Sequence, residues 1–201
     1  MPLPENIFEF DCSFTLIDGG LTNEVFSGLN NLNWALLDGN AYNTTVPPVF
    51  AELQNLEYLF ISDAFISGDL SYMLGMPKMI EHWIDVNPAL GGTIPAFIGD
   101  ITTLRSFSVT QGSLTGTIPS ELGNLSNMVQ MWFYANSLTG TIPSELALRS
   151  MRLLQLEGND LVGTMPDEIC RLTQFPTTLQ ILGADCDEIS VRKGFSHIPF
   201  D

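Results

Sequence analysis

Trp34, Tyr58, Phe60, Trp83, Trp132 and Tyr134 share one environment in this sequence. Each sits in or next to a short stretch where apolar residues alternate with others, and such stretches return every 23 to 25 residues. Alternation of that kind sends one set of side chains to a core and the other to the opposite face of a strand. These six fall in the outward set, which holds all three Trp of the chain. Rings on a solvated face offer stacking and apolar contact, the chemistry of interface anchors. Asp38, Asp85 and Glu157 border them in the next outward column, and Leu36 and Gln155 lie in the same rows. Those eleven residues are the expected contact surface. The row Ser106, Ser108, Thr110 interrupts the rings, so two patches are expected, one from Trp34 to Trp83 and one at Trp132 and Tyr134. The competing reading is a ladder of large side chains that stabilises a sheet without any ligand.

Nothing in the sequence arranges these or other residues for catalysis. There is no Gly-x-Ser-x-Gly elbow, and no His lies beside the Ser and Thr residues at a recognisable spacing. Gly91-Gly92-Thr93 belongs to a repeated turn, not to a phosphate loop. Carboxylates on an open face, such as Asp11 and Asp38, are poorly placed to become general bases. His82 and His197 are far apart, the Cys and His spacings do not form a metal site, and the scattered Asp and Glu lack a calcium-loop pattern. No cofactor is expected, and the chain is expected not to be an enzyme.

The elements that must position the rings are legible from a repeat. Leu114 to Leu122, LTGTIPSEL, recurs letter for letter at Leu138 to Leu146, a spacing of 24. LGGTIPAFI at Leu90 to Ile98 precedes the first copy by 24, and LVGTMPDEI at Leu161 to Ile169 follows the second by 23. A fixed period of this length marks a solenoid whose units bury their apolar faces only by stacking. The full unit reads L-x-x-F-x-V-x-x-G-x-L-x-G-x-I-P-x-x-L-x-x-L from Leu104. An Asn after the strand (Asn40, Asn136, Asn159) suits a turn in which a side-chain amide satisfies backbone groups. The Gly permits a tight bend, and the Pro fits an edge or turn.

This pattern resembles the leucine-rich repeat, and its Gly-x-Ile-Pro segment resembles the plant-type subclass of receptor-kinase ectodomains and polygalacturonase-inhibiting proteins. The resemblance implies an α/β solenoid, right-handed and curved, with a parallel concave sheet and an irregular or 3-10 convex side. It also implies a stapling cysteine pair at the end of the array, here Cys170 and Cys186. Two free thiols in a reduced compartment are the alternative.

Earlier units diverge. Leu32, Ala35, Leu37, Asn40, Tyr42 and Phe50 fit one. Leu56, Leu59, Ile61, Ala64, Ile66, Gly68, Leu70 and Leu74 fit the next. Phe10, Cys12, Ile17 and Phe26 fit a first coil if its convex side is one residue longer. The unit from Met79 carries an extra residue at Asn87-Pro88-Ala89-Leu90. There His82 and Ile84 are expected inward and Trp83 outward, because the other register would bury Asp85. Residues 1–190 are expected to form one domain of about seven repeats with a terminal cap, and 191–201 a tail mixing basic and apolar residues.

A net charge of −16, with seven Lys plus Arg, disfavours nucleic acid and anionic membranes as partners. It suits solubility or a basic partner. No apolar run approaches a membrane span, and Met1-Pro-Leu-Pro-Glu has no signal-peptide character. Asn43-Thr44-Thr45 and Asn124-Leu125-Ser126 are sequons. With the cysteine pair they favour the secretory lumen, the cell surface or the extracellular space. The expected function is a recognition module taking a protein or peptide, a basic one included, or a sugar stacked on the rings. The alternatives are a structural subunit of a larger assembly and, from the resemblance alone, an inhibitor of a wall-degrading glycosidase.

Overall fold

A computed structural model describes residues 6–173, 179 and 181–183 of the chain. Short strands and tight convex turns alternate along it. Numbered in chain order, the strands are β1 (Glu9–Asp11), β2 (Trp34–Leu36), β3 (Tyr58–Phe60), β4 (Glu81–Trp83), β5 (Ser106–Ser108), β6 (Thr115–Thr117), β7 (Gln130–Trp132), β8 (Ser137–Gly140), β9 (Leu153–Gln155), β10 (Asp160–Leu161) and β11 (Ile181–Gly183). One parallel sheet takes β1-β2-β3-β4-β5-β7-β9-β11 in that order. Its register aligns the period: Trp34 pairs with Tyr58, Phe60 with Trp83, Trp83 with Ser108, and Ser108 with Trp132. This is the expected concave sheet of a leucine-rich repeat solenoid.

The convex side is turned by 3-10 segments at Pro48–Glu52, Leu70–Gly75, Ala96–Asp100, Ser120–Asn124 and Ser144–Leu146, with short α-helices at Asn23–Phe26 and Asp167–Arg171. Neighbouring 3-10 turns come so close that a β-carbon on Gly99 would lie 2.2 Å from the Glu121 carbonyl oxygen. A side chain at Gly99 would therefore force the neighbouring turn to shift.

A second parallel ladder, β10-β8-β6, runs along the flank and was not foreseen. It is made by the Gly-x-Ile-Pro segments and continues toward the first coils only as isolated bridges, such as Thr93 with Thr115 and Thr45 with Ser67. Thr beside the Gly supplies strand propensity there. Gly140 sits at φ +78°, and a β-carbon on it would meet Thr117 Cγ2 at 2.8 Å.

Between the two ladders and the convex turns lies one core of Leu, Ile, Val, Met and Phe from every coil, with Phe26, Phe50, Phe107 and Phe133 among its largest members. Leu74 is a correction: it is 72% exposed, and Met73 is buried instead. A 3-10 helix repeats every three residues, so Leu70, Met73 and Met76 share the inward face. Asn40, Asn87, Asn136 and Asn159 each tie their own coil to the preceding one, while Ala64 and Gly112 hold that place in the two coils between. Asn87 Nδ2 donates to the carbonyls of Ile61, Ile84 and Asp85, while its Oδ1 accepts from the N–H groups of Ala64 and Ile66. Asn87 lies in the unit with the extra residue, which hid it from the sequence pattern.

Candidate functional site

Among the described residues, the outward positions of the concave strands β1 to β9 lie where the alternation places them. His82 and Ile84 are fully buried, and Trp83 faces out from the row above them. His82 Nδ1 lies 2.8 Å from the Leu59 carbonyl and Nε2 meets the Tyr72 hydroxyl, which fixes the imidazole as the tautomer that donates to Leu59 and accepts from Tyr72. Burial pushes its pKa down to about 4, partly offset by the Leu59 bond.

Outward, the aromatic side chains form contacts the sequence does not show. Trp34 and Tyr58 stack at 3.6 Å between centroids, 9° from parallel. Phe60 packs on Trp83 at 5.0 Å, and Trp83 on Trp132 at 5.8 Å. The last distance overturns the expectation of two patches. β5 lies between β4 and β7, so two strand spacings, about 9.6 Å, separate the backbones of Trp83 and Trp132. The rings close that gap by leaning toward each other across the small residues of β5. Ser106, Ser108 and Thr110 are consequently almost wholly buried although they face outward. Ser106 Oγ accepts the Trp83 indole N–H at 2.8 Å. The Ser row does not interrupt the aromatics; its small size lets them meet.

The acidic column is wired to the same row. Asp38 Oδ1 accepts from the Ser62 N–H at 2.6 Å, and Ser62 Oγ accepts from the Asp85 N–H. Asp85 Oδ1 accepts from the Ser108 hydroxyl at 2.6 Å and the Thr110 N–H at 2.8 Å. Burial raises both carboxyls above the ordinary range, with these hydrogen bonds opposing it, and Asp85 and Asp11 raise Asp38 further by repulsion. Asp11 is exposed and held low by its bonds to Ser13. At the other end Gln155 Nε2 donates to Glu157 Oε1 at 3.1 Å. Glu157 Oε2 and Trp132 Nε1 are buried atoms with no hydrogen-bond partner among the described residues. Leu36, Gln155 and Tyr134 are half-buried on the same face.

The remaining expected sites lie elsewhere. Asn43 and Asn124 are exposed and off the concave strands; Asn43 donates its amide to the Ala41 carbonyl. Cys170 is half-buried in the last described helix, and Cys186 lies outside the described residues, as do most of the closing segment and the 191–201 tail. Cys12 is half-buried, its sulfur 3.2 Å from the Tyr42 hydroxyl. A shallow groove on the flank, lined by Thr93, Gly116, Thr117, Pro119, Glu121 and Thr141, belongs to the repeated Gly-x-Ile-Pro turns and contains no aromatic anchor. Among the described residues no helix is long and apolar enough to cross a membrane.

No protein-family model matches the sequence, and no curated protein matches it. Solved structures do. The plant peptide hormone receptor RGFR1 in complex with RGF2 is 26% identical, with a TM-score of 0.77 over 84% of this chain and 27% of the receptor. The Arabidopsis receptor kinase HAESA, in complex with the peptide hormone IDA and the co-receptor SERK1, is 22% identical at a TM-score of 0.79 over 91% of this chain and 31% of that one. A leucine-rich repeat protein of Leptospira interrogans is 24% identical at 0.65 over 79% of this chain and 38% of that one. The chain thus spans roughly a quarter to a third of the length of the plant receptors it matches. The likeness drawn from the Gly-x-Ile-Pro repeats holds in three dimensions: the chain has a leucine-rich repeat fold and is similar to plant receptor ectodomains of that type.

Proposed function

We propose that the chain is a non-catalytic recognition module that binds a protein or peptide on its concave face. The observation that carries this is the continuous aromatic surface from Phe60 through Trp83 to Trp132, with the Trp34–Tyr58 stack on the neighbouring coils. A solenoid presents its concave sheet as an extended binding surface, and large rigid aromatics give much contact area at little entropic cost. Two structural neighbours are peptide-hormone receptors solved with their peptides, which supports a peptide or protein as the ligand class. Asp38 and Asp85 beside the rings favour a basic one. The receptor likeness also supports an extracellular setting, with glycans on Asn43 and Asn124 clear of the face and a Cys170–Cys186 bond closing the array. One domain over residues 1–190 fits the single run of coils.

The test recovers a partner on the intact chain from its native source, then measures the affinity of that partner for Trp83→Ala and Trp132→Ala. Each should weaken binding by about thirtyfold, on the order of 2 kcal/mol. Unchanged affinity in both variants would remove the concave face from the interface.

A further inference from the structure

The turn that leaves each concave strand carries a second surface. Its first residue takes left-handed backbone in coil after coil: Phe14, Gly39, Asp63, Val86, Gln111 and Ala135 all lie between φ +49° and +65°. Their N–H groups bond the next coil in one column, Phe14 to the Asp38 carbonyl, Asp63 to Asp85 and Val86 to Thr110. Two more left-handed residues, Leu16 and Phe65, occupy matching places further along the turn. Each precedes a residue, Ile17 or Ile66, whose N–H is held by the Asn of the next coil.

Left-handed backbone favours Gly, Asn and Asp and is an outlier for bulky or β-branched side chains. Here it holds Phe14, Leu16, Phe65 and Val86, exposed by 73%, 85%, 55% and 39%. Phe14 gains contact with Gly39, whose β-carbon position its ring overlies. Leu16, Phe65 and Val86 combine disfavoured backbone with solvent exposure, so neither local conformation nor burial accounts for their type. The regular coils place Gln111, Ser113, Ala135 and Ser137 in the equivalent turns. Charge divides the same way. Residues 1–104 contain thirteen Asp and Glu and a single basic residue, Lys78, whereas the other six Lys and Arg all follow. Asp63 stands exposed within this column, with Asp38 and Asp85 immediately before Gly39 and Val86.

We infer that the edge of the first four coils, Phe14, Leu16, Phe65 and Val86 with Asp63, is a docking surface for a protein segment that combines bulky apolar residues with Lys or Arg. Bulky apolar side chains of the partner cover the four hydrophobes, and its cations meet the exposed Asp63. The surface lies beside the concave aromatic face, not on it, and its occupation does not depend on the concave reading.

The probe is a synthetic peptide of about 12 residues alternating Leu with Lys, with a Ser/Lys peptide of equal charge as control, measured by titration calorimetry at moderate salt. The Leu/Lys peptide is expected to bind at least about tenfold more tightly than the control. Leu16→Gly, Phe65→Gly and Val86→Gly combined should remove that margin while holding or raising the melting temperature, since Gly suits the backbone. Asp63→Asn should weaken both peptides, and Leu74→Ala, at an exposed convex position, neither. Equal binding of the two peptides, or a triple variant that keeps the Leu/Lys margin, would overturn the proposal. So would a triple variant that melts lower, because these side chains would then serve folding. Loss of binding in Leu74→Ala alone would also overturn it, while leaving the concave reading intact.

Discussion

Coils from Phe8 to Ile101 and coils from Leu104 to Leu161 share one backbone plan but divide the work differently. The second group repeats almost by letter. Its Gly-x-Ile-Pro segments pair into the β6-β8-β10 ladder, and its turns carry Gly, Ser and Ala. The first group keeps the inward Leu, Ile and Met but forms only single bridges on that flank. It also holds the Trp34–Tyr58 stack, the buried His82, both raised carboxyls and the exposed edge hydrophobes. The difference teaches that the scaffold needs only the inward residues and the Asn ties. Positions free of that duty are where the first coils have acquired bulky and charged side chains.

The sharpest way to break this division is at the shared ties. Asn87→Ala in the diverged half leaves the Ala64 and Ile66 N–H groups and the Ile61 carbonyl unpaired in the core and should cost about 3 to 5 kcal/mol. Asn136→Ala in the regular half, with fewer bonds in a less buried place, should cost about 2 to 3 kcal/mol. Denaturant midpoints of both variants check this. A loss below about 1 kcal/mol at Asn87 would mean that packing alone joins the coils.

Acid should single out the diverged half. His82 has a folded pKa of about 4 against an ordinary 6.5, so the folded state prefers the neutral ring. Its contribution is complete above pH 6.5 and is lost as pH falls toward 4. The loss reaches about 3 kcal/mol. Asp38 and Asp85 act oppositely: their raised folded pKa values favour folding at low pH and weaken that benefit as pH rises through them. Stability measured from pH 7 to 4 on wild type minus that of His82→Gln isolates the imidazole. A flat difference would show that His82 does not titrate with unfolding.

How far the sequence speaks follows from what a repeat encodes. Inward positions at Leu59, His82, Phe107, Met131 and Leu154 were readable because alternation fixes which way a β-carbon points. The direction in which a long ring leans is not encoded there, so the meeting of Trp83 and Trp132 over β5 was not legible, and neither was the burial of Ser108. Asn87 was masked by the inserted residue after it. Leu74 is misplaced by the pattern because this turn is one residue shorter than the next, so Met73, not Leu74, takes the place that Ile98 holds there. The flank ladder is not legible because its strands run through the Gly- and Thr-rich turn segments, where no apolar alternation marks a strand.

Smaller effects sharpen the comparison. Trp83→Ala removes the contacts to Phe60 and Trp132 and the indole bond to Ser106, and should cost about 2 kcal/mol of stability. That exceeds the slight cost expected of a ring standing free of its neighbours. Trp34→Ala, at a ring 38% exposed with one stacking partner, should cost about 1 kcal/mol. In the regular half, Gly140→Ala meets Thr117 and an unfavourable φ, and should cost about 1 kcal/mol. Thermal denaturation of the three variants orders them; a Gly140→Ala that stabilises would show that the flank ladder yields easily.

The concave face as the binding surface is tested most directly by hydroxyl-radical footprinting of the intact chain, free and saturated with the partner recovered on it. Trp34, Trp83 and Trp132 should lose reactivity together on binding, while exposed convex residues such as Leu74 keep theirs. Protection confined to the convex turns, with the three indoles as reactive as in the free chain, would contradict the account.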